Sequence, residues 1–211
     1  MKFEKKFIRN WNLTEKNKVN LYEPKNLNEL KFFFKNILKE NYFFIRTGNC
    51  SYGDKSISLN TKKCLSLKYF NKILSFDKNK GVINVQAGTN LYNLSKYLFN
   101  LGFYIYNIPG GKSVSLGGAI SGNVHGRISN KKFSTFGDNI ISITVLKKNL
   151  KLKRINKNHK SFFNIIGGMG MFETIVSAEI KVQKLNDECF AQSKSFVKGY
   201  KKFGYFFKKT K

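Results

Sequence analysis

Residues 108–126 read Ile108-Pro109-Gly110-Gly111-Lys112-Ser113-Val114-Ser115-Leu116-Gly117-Gly118-Ala119-Ile120-Ser121-Gly122-Asn123-Val124-His125-Gly126. Six of these nineteen residues are glycines. Glycine adopts positive φ values and lets a ligand approach the backbone closely, and successive uncovered N–H groups form a concave site for an anion. The segment is therefore typical of a loop that binds a diphosphate, although a tight glycine-rich turn between two strands would have the same composition.

This segment differs from the common phosphate-binding motifs. The pattern GxxxxGK(S/T) is absent from the chain, and no GxGxxG joins a strand to a helix with an acidic residue about 20 positions further on. The segment is thus neither a Walker loop nor a dinucleotide fingerprint of the Rossmann type. Its function has to be inferred from the elements on either side.

A strand–helix–strand unit is predicted upstream of this segment. Residues 19–22 alternate like a short strand. Asn26 and Glu29 have the spacing of a capping box, and apolar residues follow them at helical spacing. Residues 43–45 are predicted as a second, buried strand, which leads into the turn-rich loop 46–54.

The remaining elements mix helices with strand pairs, and this order predicts an α+β fold. The polar residues 1–20 are predicted as a largely irregular lead-in. We expect two subdomains, residues 1–80 and residues 81–185, and we assign 186–211 to the start of a further domain. Strands are predicted at 73–76, 82–87, 140–146, 150–155 and 175–182, and helices at 90–101 and 158–166.

The formal charge of +27 and the pI near 10.0 are typical of chains that bind polyanions. The lysines are nevertheless scattered along the whole chain, which is rich in Asn, Ile and Phe and poor in Ala and Pro. Biased base composition of the gene would give this pattern, so we expect no specific nucleic-acid partner. The basic, aromatic segment 194–211 leaves an alternative open, a protein that binds nucleic acid or associates peripherally with a membrane.

Other features of the composition argue against several classes of protein. Cys50, Cys64 and Cys189 form no CxxC pair, which disfavours a disulfide framework or a zinc site. The N-terminus lacks an apolar stretch of signal-peptide length, and no uncharged run of about 18 residues predicts a membrane span. We therefore expect a cytoplasmic protein without a metal.

The order of three glycine-containing elements is more informative than any one of them. A strand–helix–strand unit ends in Gly48-Asn49-Cys50-Ser51-Tyr52-Gly53-Asp54, residues 109–126 follow about sixty residues later, and Gly167-Gly168-Met169-Gly170 precedes the last strand. In this order the chain resembles the FAD-binding domains of the vanillyl-alcohol-oxidase and p-cresol-methylhydroxylase family, especially those of decaprenylphosphoryl-ribose oxidases and sugar-lactone oxidases. The resemblance covers about residues 8–190 and implies a domain of two α+β subdomains.

The resemblance also implies roles for individual residues. Tyr52 and His125 would lie beside the flavin ring, where a sugar, a sugar lactone or a polyprenyl-phosphosugar would give a hydride to flavin N5. Both could instead be structural, with the Tyr52 ring packed and His125 buried. The resemblance implies FAD contacts for Thr47, Gly48, Asn49, Cys50, Ser51, Tyr52, Pro109, Gly110, Gly111, Ser115, Gly117, Gly118, Ala119, Gly122, His125, Gly126 and Ile175.

Two residues depart from the family pattern. Cys50 occupies the position at which several members attach FAD through a histidine, so we expect non-covalent FAD. Glu173 stands where relatives commonly have glycine, and a carboxylate that pointed inward would weaken binding of the adenine end. The resemblance further implies a second, larger portion that covers the flavin. A partner polypeptide would supply that portion, or the chain is a truncated product.

Overall fold

A computed structural model describes residues 3–37, 42–126 and 133–185. The predicted further domain at 186–211, its basic tail 194–211 and Cys189 lie outside the described residues. The described part contains two main β-sheets, and helices pack against them. It thus confirms the predicted α+β class.

The first sheet has the strand order β1-β2-β4-β3. Strands β1 and β2 are antiparallel, whereas β4 runs parallel to both β2 and β3. Helix α1 follows β2 and contributes three buried apolar side chains to the core. The elements are β1 (Glu4–Arg9), β2 (Lys16–Tyr22), α1 (Leu27–Ile37), β3 (Phe44–Ile45) and β4 (Lys63–Leu65).

The prediction of an irregular lead-in over residues 1–20 was wrong, because β1 and β2 form a hairpin there. Among the many lysines of these strands, only isolated apolar residues such as Ile8 and Val19 point inward. The alternation of apolar and polar residues that predicts a strand is therefore too sparse to recognise. Asn10, which is fully buried, organises the turn. Its Nδ2 donates to Thr14 Oγ1 and to the carbonyl oxygen of Gly53, both at 2.9 Å.

The second sheet is antiparallel throughout, with the order β5-β6-β10-β8-β9. A small third sheet pairs β11 with β7. The predicted boundary between residues 80 and 81 falls in the turn of the β5–β6 hairpin, and the division into subdomains stays a prediction. The elements are β5 (Ile73–Asp77), β6 (Val82–Gln86), α2 (Leu91–Asn100), β7 (Phe103–Tyr104), α3 (Leu116–Ser121), β8 (Ile140–Leu146), β9 (Leu152–Asn156), α4 (Phe162–Ile165), β10 (Thr174–Lys181) and β11 (Gln183–Lys184).

Local signals at both ends of helix α2 explain why its predicted bounds agree with the structure. Asn90 is its N-cap, and the side-chain oxygen of Asn90 accepts a hydrogen bond from the Asn93 N–H at 3.0 Å. Gly102 follows the helix with a φ of 77°, a conformation that glycine adopts without strain. Both signals are local, so the sequence alone indicates where this helix begins and ends.

The segment 108–126 is not a continuous loop, because it contains the short helix α3. Ser115 caps α3, with its Oγ accepting from the Gly118 N–H at 3.3 Å. Leu116, Ala119 and Ile120 of α3 are completely buried. Burial against the second sheet therefore outweighs the low helix propensity of glycine, which the sequence pattern did not reveal.

One hydrophobic core joins the two sheets. It includes Leu30 and Phe33 of α1, Leu65 of β4, and residues of β6, α2, β8 and β10. Among the described residues, no helix is long and apolar enough to cross a membrane. The core fixes how the loops of the first sheet lie against those of the second.

We predict that Leu98→Ala lowers the free energy of unfolding by about 2–5 kcal/mol, because it empties a fully buried site. The matched control is Phe99→Ala, one residue further along α2, whose side chain is 60% exposed. The control should change stability by less than about 1 kcal/mol. Urea denaturation of both variants measures this, and equal losses would show that α2 does not bury the face described.

Candidate functional site

A cleft of about 160 Å³ lies where the loops of the two sheets meet. The cleft is partly open, and it is smaller than typical ligand pockets of about 300–1,000 Å³. Its walls are Ile45, Arg46, Thr47, Gly48, Asn49, Cys50, Ser51, Lys55, Ser56, Leu67, Ala87, Val114, Ser115, Gly117, Gly118, Ser121, Gly122, Val124, Met169, Gly170, Glu173 and Ile175.

The first two glycine loops pack together backbone to backbone. A Cβ atom added to Gly48 would lie 2.4 Å from the carbonyl oxygen of Ser113 and 2.8 Å from the nitrogen of Ser115. Both atoms belong to the backbone and cannot rotate away. Only glycine at position 48 therefore allows this contact, which forms one end of the cleft.

Helix α3 is anchored between the strands and the third glycine loop. The Gly117 N–H donates to the Ala87 carbonyl at 2.7 Å, where β6 ends. At the other end of α3, the Met169 N–H donates to the Ser121 carbonyl at 2.9 Å. These bonds bring residues more than eighty positions apart into the same wall.

The first loop carries a run of backbone N–H groups available to a ligand. The amides of Gly48, Asn49, Cys50 and Ser51 donate to no acceptor in the described part of the chain. Asn49 has a φ of 54°, in the left-handed region. Successive amides near such a residue form a concave site for an anion, and buried or half-buried N–H groups require partners.

Two cations border this run of amides. The Arg46 guanidinium donates from Nε to Asn49 Oδ1 at 3.0 Å and from a terminal nitrogen to the carbonyl oxygen of Arg9. Burial lowers the pKa of Arg46, but a guanidinium stays charged in proteins. Lys55 lies in the same wall. This end of the cleft is therefore electropositive.

A carboxylate lies in the wall that the third loop forms. Glu173 Oε1 accepts from Lys147 Nζ at 2.5 Å, and both side chains are half-buried. This ion pair follows from sheet register, because Thr174 of β10 lies opposite Leu146 of β8 and the two charged residues adjoin that pair. Lys147 thus compensates the charge of the residue that departs from the family pattern.

The surroundings of Cys50 favour the protonated thiol. Its Sγ donates to the Gly48 carbonyl at 3.2 Å. Burial raises the pKa of Cys50, although a hydrogen bond from the Ser113 backbone partly opposes this shift. A thiol with a raised pKa is a poor nucleophile at neutral pH.

The structure brings ten of the predicted contact residues together in the cleft walls. Tyr52 and His125 lie outside these walls; Tyr52 is 65% exposed, and His125 is also exposed. Ala119 is buried in the core, and Pro109, Gly110, Gly111 and Gly126 lie outside the walls as well. For the ten wall residues as for the other seven, contact with FAD stays a prediction. The ten are Thr47, Gly48, Asn49, Cys50, Ser51, Ser115, Gly117, Gly118, Gly122 and Ile175.

Several wall residues were missed by the sequence analysis. Arg46 directly precedes the first glycine loop, and a cation in that place could have been noticed. Leu67 and Ala87 carry no such signal, because they reach the cleft only through sheet pairing. Among the described residues, no group of His, Cys, Asp or Glu side chains could hold a metal ion.

A partly open cleft with glycine backbone, unpaired amides and bordering cations is typical of a site for a phosphate-containing ligand. Comparison with known families specifies the ligand. A family model described as an FAD binding domain matches residues 21–156. The chain belongs to this FAD-binding family, as its sequence resemblance predicted.

Curated relatives agree with this family. The chain is 27% identical over 135 residues to decaprenylphosphoryl-beta-D-ribose oxidase of Mycolicibacterium smegmatis, covering 63% of this chain and 29% of the relative. It is 25% identical over 184 residues to the mitochondrial L-galactono-1,4-lactone dehydrogenase of Arabidopsis thaliana, covering 83% and 28%. The chain thus matches less than a third of the length of each relative.

Solved structures share the fold. A structure of alkyldihydroxyacetonephosphate synthase superposes with a TM-score of 0.70 at 18% sequence identity, covering 82% of this chain and 34% of that one. A second structure of that enzyme gives a TM-score of 0.71. At this identity the likeness concerns the fold alone.

We predict that Gly48→Ala lowers the free energy of unfolding by about 1–3 kcal/mol, because its methyl group would force the two loops apart. Gly118→Ala is the control, since an added Cβ there meets only the Ser115 Oγ at 3.1 Å and alanine favours a helix. Denaturation without added FAD separates this effect from ligand binding. Equal stability of Gly48→Ala and the unmodified chain would contradict the described loop contact.

Proposed function

We propose that this chain binds FAD non-covalently and forms the FAD-binding portion of an oxidoreductase that acts on a CH–OH group. The observation that carries the proposal is the run of unpaired amides from Gly48 to Ser51 beside Arg46. Amides and a guanidinium together match the charge and the acceptors of a diphosphate. The family to which the chain belongs supports FAD as the source of that diphosphate.

The residues of the cleft fit the extended shape of FAD. The first loop, with Arg46 and Lys55, would hold the diphosphate. Gly117 and Gly118 leave the adjacent wall without side chains, so a ligand can lie close to the backbone of α3. At the other side, Ile175 and the neutralised Glu173 would lie toward the adenine.

The protonated state of the Cys50 thiol favours non-covalent attachment of FAD. Its thiol is half-buried, donates to a carbonyl and has a raised pKa. A thioether link to flavin would require the thiolate, which this environment disfavours. We therefore assign the first loop to reversible binding.

The substrate class is proposed from the relatives, whose names indicate enzymes that act on a polyprenyl-phosphosugar and a sugar lactone. When bound, FAD supplies a hydride acceptor at N5. The exposed rings of Tyr52 and His125 would orient a substrate hydroxyl for this reaction. The His125 Nδ1 lies 3.2 Å from the Gly126 carbonyl, which restrains the ring.

The partly open cleft indicates that catalysis needs a cover. Hydride transfer depends on fixed geometry and on exclusion of water, and the described residues leave the cleft partly open. We propose that a portion of the protein outside the described residues, or a partner, supplies the cover together with most substrate contacts.

We predict that the purified chain shows the visible absorption spectrum of flavin, or acquires it when FAD is added. After acid precipitation the absorbance should move into the supernatant, because no covalent bond retains the cofactor. Flavin that stays with the pellet would refute non-covalent attachment. A colourless chain that takes up no added FAD would refute the proposed function.

The Lys147–Glu173 pair provides a further prediction. Lys147→Met should raise the dissociation constant for FAD several-fold, because it leaves a half-buried carboxylate uncompensated beside the cleft. Lys148→Met, at an exposed neighbouring position, should leave affinity within about twofold. FAD fluorescence titration measures both.

The double variant Lys147→Met/Glu173→Gln tests the cause of that effect. Removing the carboxylate should restore most of the affinity that Lys147→Met loses. If the double variant binds as weakly as Lys147→Met, the loss comes from packing at Lys147 and not from the charge of Glu173. Circular dichroism of each variant checks that the fold is retained.

A further inference from the structure

One face of the β1–β2 hairpin combines cations with an exposed aromatic ring. Side chains alternate between the two faces of a strand, so Lys5, Phe7 and Arg9 of β1 share a face. In the hairpin register, Phe7 is opposite Lys18, and Arg9 is opposite Lys16. All five side chains are exposed. We call this set the hairpin basic face.

The opposite face of the same hairpin has a different character. Ile8 and Val19 point into a small core that includes Ile57. The acidic residue of β1, Glu4, belongs to this opposite face by strand alternation and lies 4.0 Å from Lys6. The hairpin basic face therefore contains four cations and no carboxylate.

The aromatic ring and the cations form one composite surface. Phe7 is 59% exposed, with Lys16 Nζ at 4.5 Å and Lys18 Nζ at 5.6 Å from the ring centroid. Both distances fall within the range of cation–π contacts. In the described part of the chain, neither lysine is in an ion pair, so both charges remain available to an anionic partner.

We propose that the hairpin basic face docks on the surface of an anionic phospholipid bilayer. A strand pair is an extended and shallow surface, which suits a plane of phosphate headgroups better than a pocket would. Basic side chains beside an aromatic ring are typical of interfacial membrane contacts. The net charge of +27 adds a long-range attraction to the same surface.

Single-stranded nucleic acid is the other polyanion that such a face could meet. Nucleic-acid binding of that kind depends on bases that stack on aromatic rings. Because Lys16 lies over one face of the Phe7 ring at 4.5 Å, a base has to displace this ammonium before it can stack on that face. Lipid phosphates can approach the same ammonium without displacing it, which favours the bilayer.

The test is co-sedimentation of the full 211-residue chain with vesicles that contain equal parts of phosphatidylglycerol and phosphatidylcholine. Vesicles of phosphatidylcholine alone are the lipid control. Lys16→Glu/Lys18→Glu should reduce the partition constant about tenfold or more, since each basic residue near an anionic surface contributes measurably. Lys148→Glu/Lys151→Glu changes the net charge equally at an exposed turn outside this face, and it should reduce binding less than threefold.

The variant Phe7→Ala distinguishes binding to a membrane from binding to a soluble polyanion. It should weaken vesicle binding about threefold or more, because an apolar contact with the bilayer is lost, and leave binding to a single-stranded oligonucleotide unchanged. Equal losses of vesicle binding in the two charge-reversed double variants would overturn the proposal, because net charge alone would then explain binding. Loss of oligonucleotide binding without loss of vesicle binding would overturn it in favour of nucleic acid. These readouts do not depend on FAD, so the proposal can fail while cofactor binding holds.

Discussion

The cleft depends on a contact between two loops that have no side chain between them. Gly48, from the loop after β3, touches the backbone of Ser113 to Ser115 ahead of α3. The two loops adjoin different sheets. Their contact therefore fixes the shape of the cleft between the sheets. Close packing in the shared core determines how near the loops come. The ligand site is therefore a result of the whole fold and not of one motif.

The charges of the cleft are arranged around the same contact. Arg46 and Lys55 lie with the first loop, where unpaired amides need an acceptor. Glu173 lies with the third loop and is neutralised by Lys147 from the adjacent strand end. An anionic ligand is thus attracted to one part of the cleft and not repelled from the other.

Local signals made much of the fold predictable. Asn90 and Gly102 delimit α2, and the apolar strands of the second sheet were recognisable from their composition. The β1–β2 hairpin was missed because its inward residues, such as Ile8 and Val19, are isolated among lysines. Helix α3 was missed because tertiary burial, which a sequence does not display, overrides its glycines. Within the site, glycine loops could be found from the sequence, whereas Ala87 reaches the cleft only through strand pairing.

The partial openness of the cleft has a kinetic consequence. A ligand that is held only by the contacts described here can leave as soon as those contacts break. Its residence time is then set by the hydrogen bonds of the first loop and by the charge of Arg46, and it shortens as salt screens that charge. A covering portion would lengthen the residence time without adding any contact to these loops. Exchange of the cofactor would then report directly on whether the cover is in place.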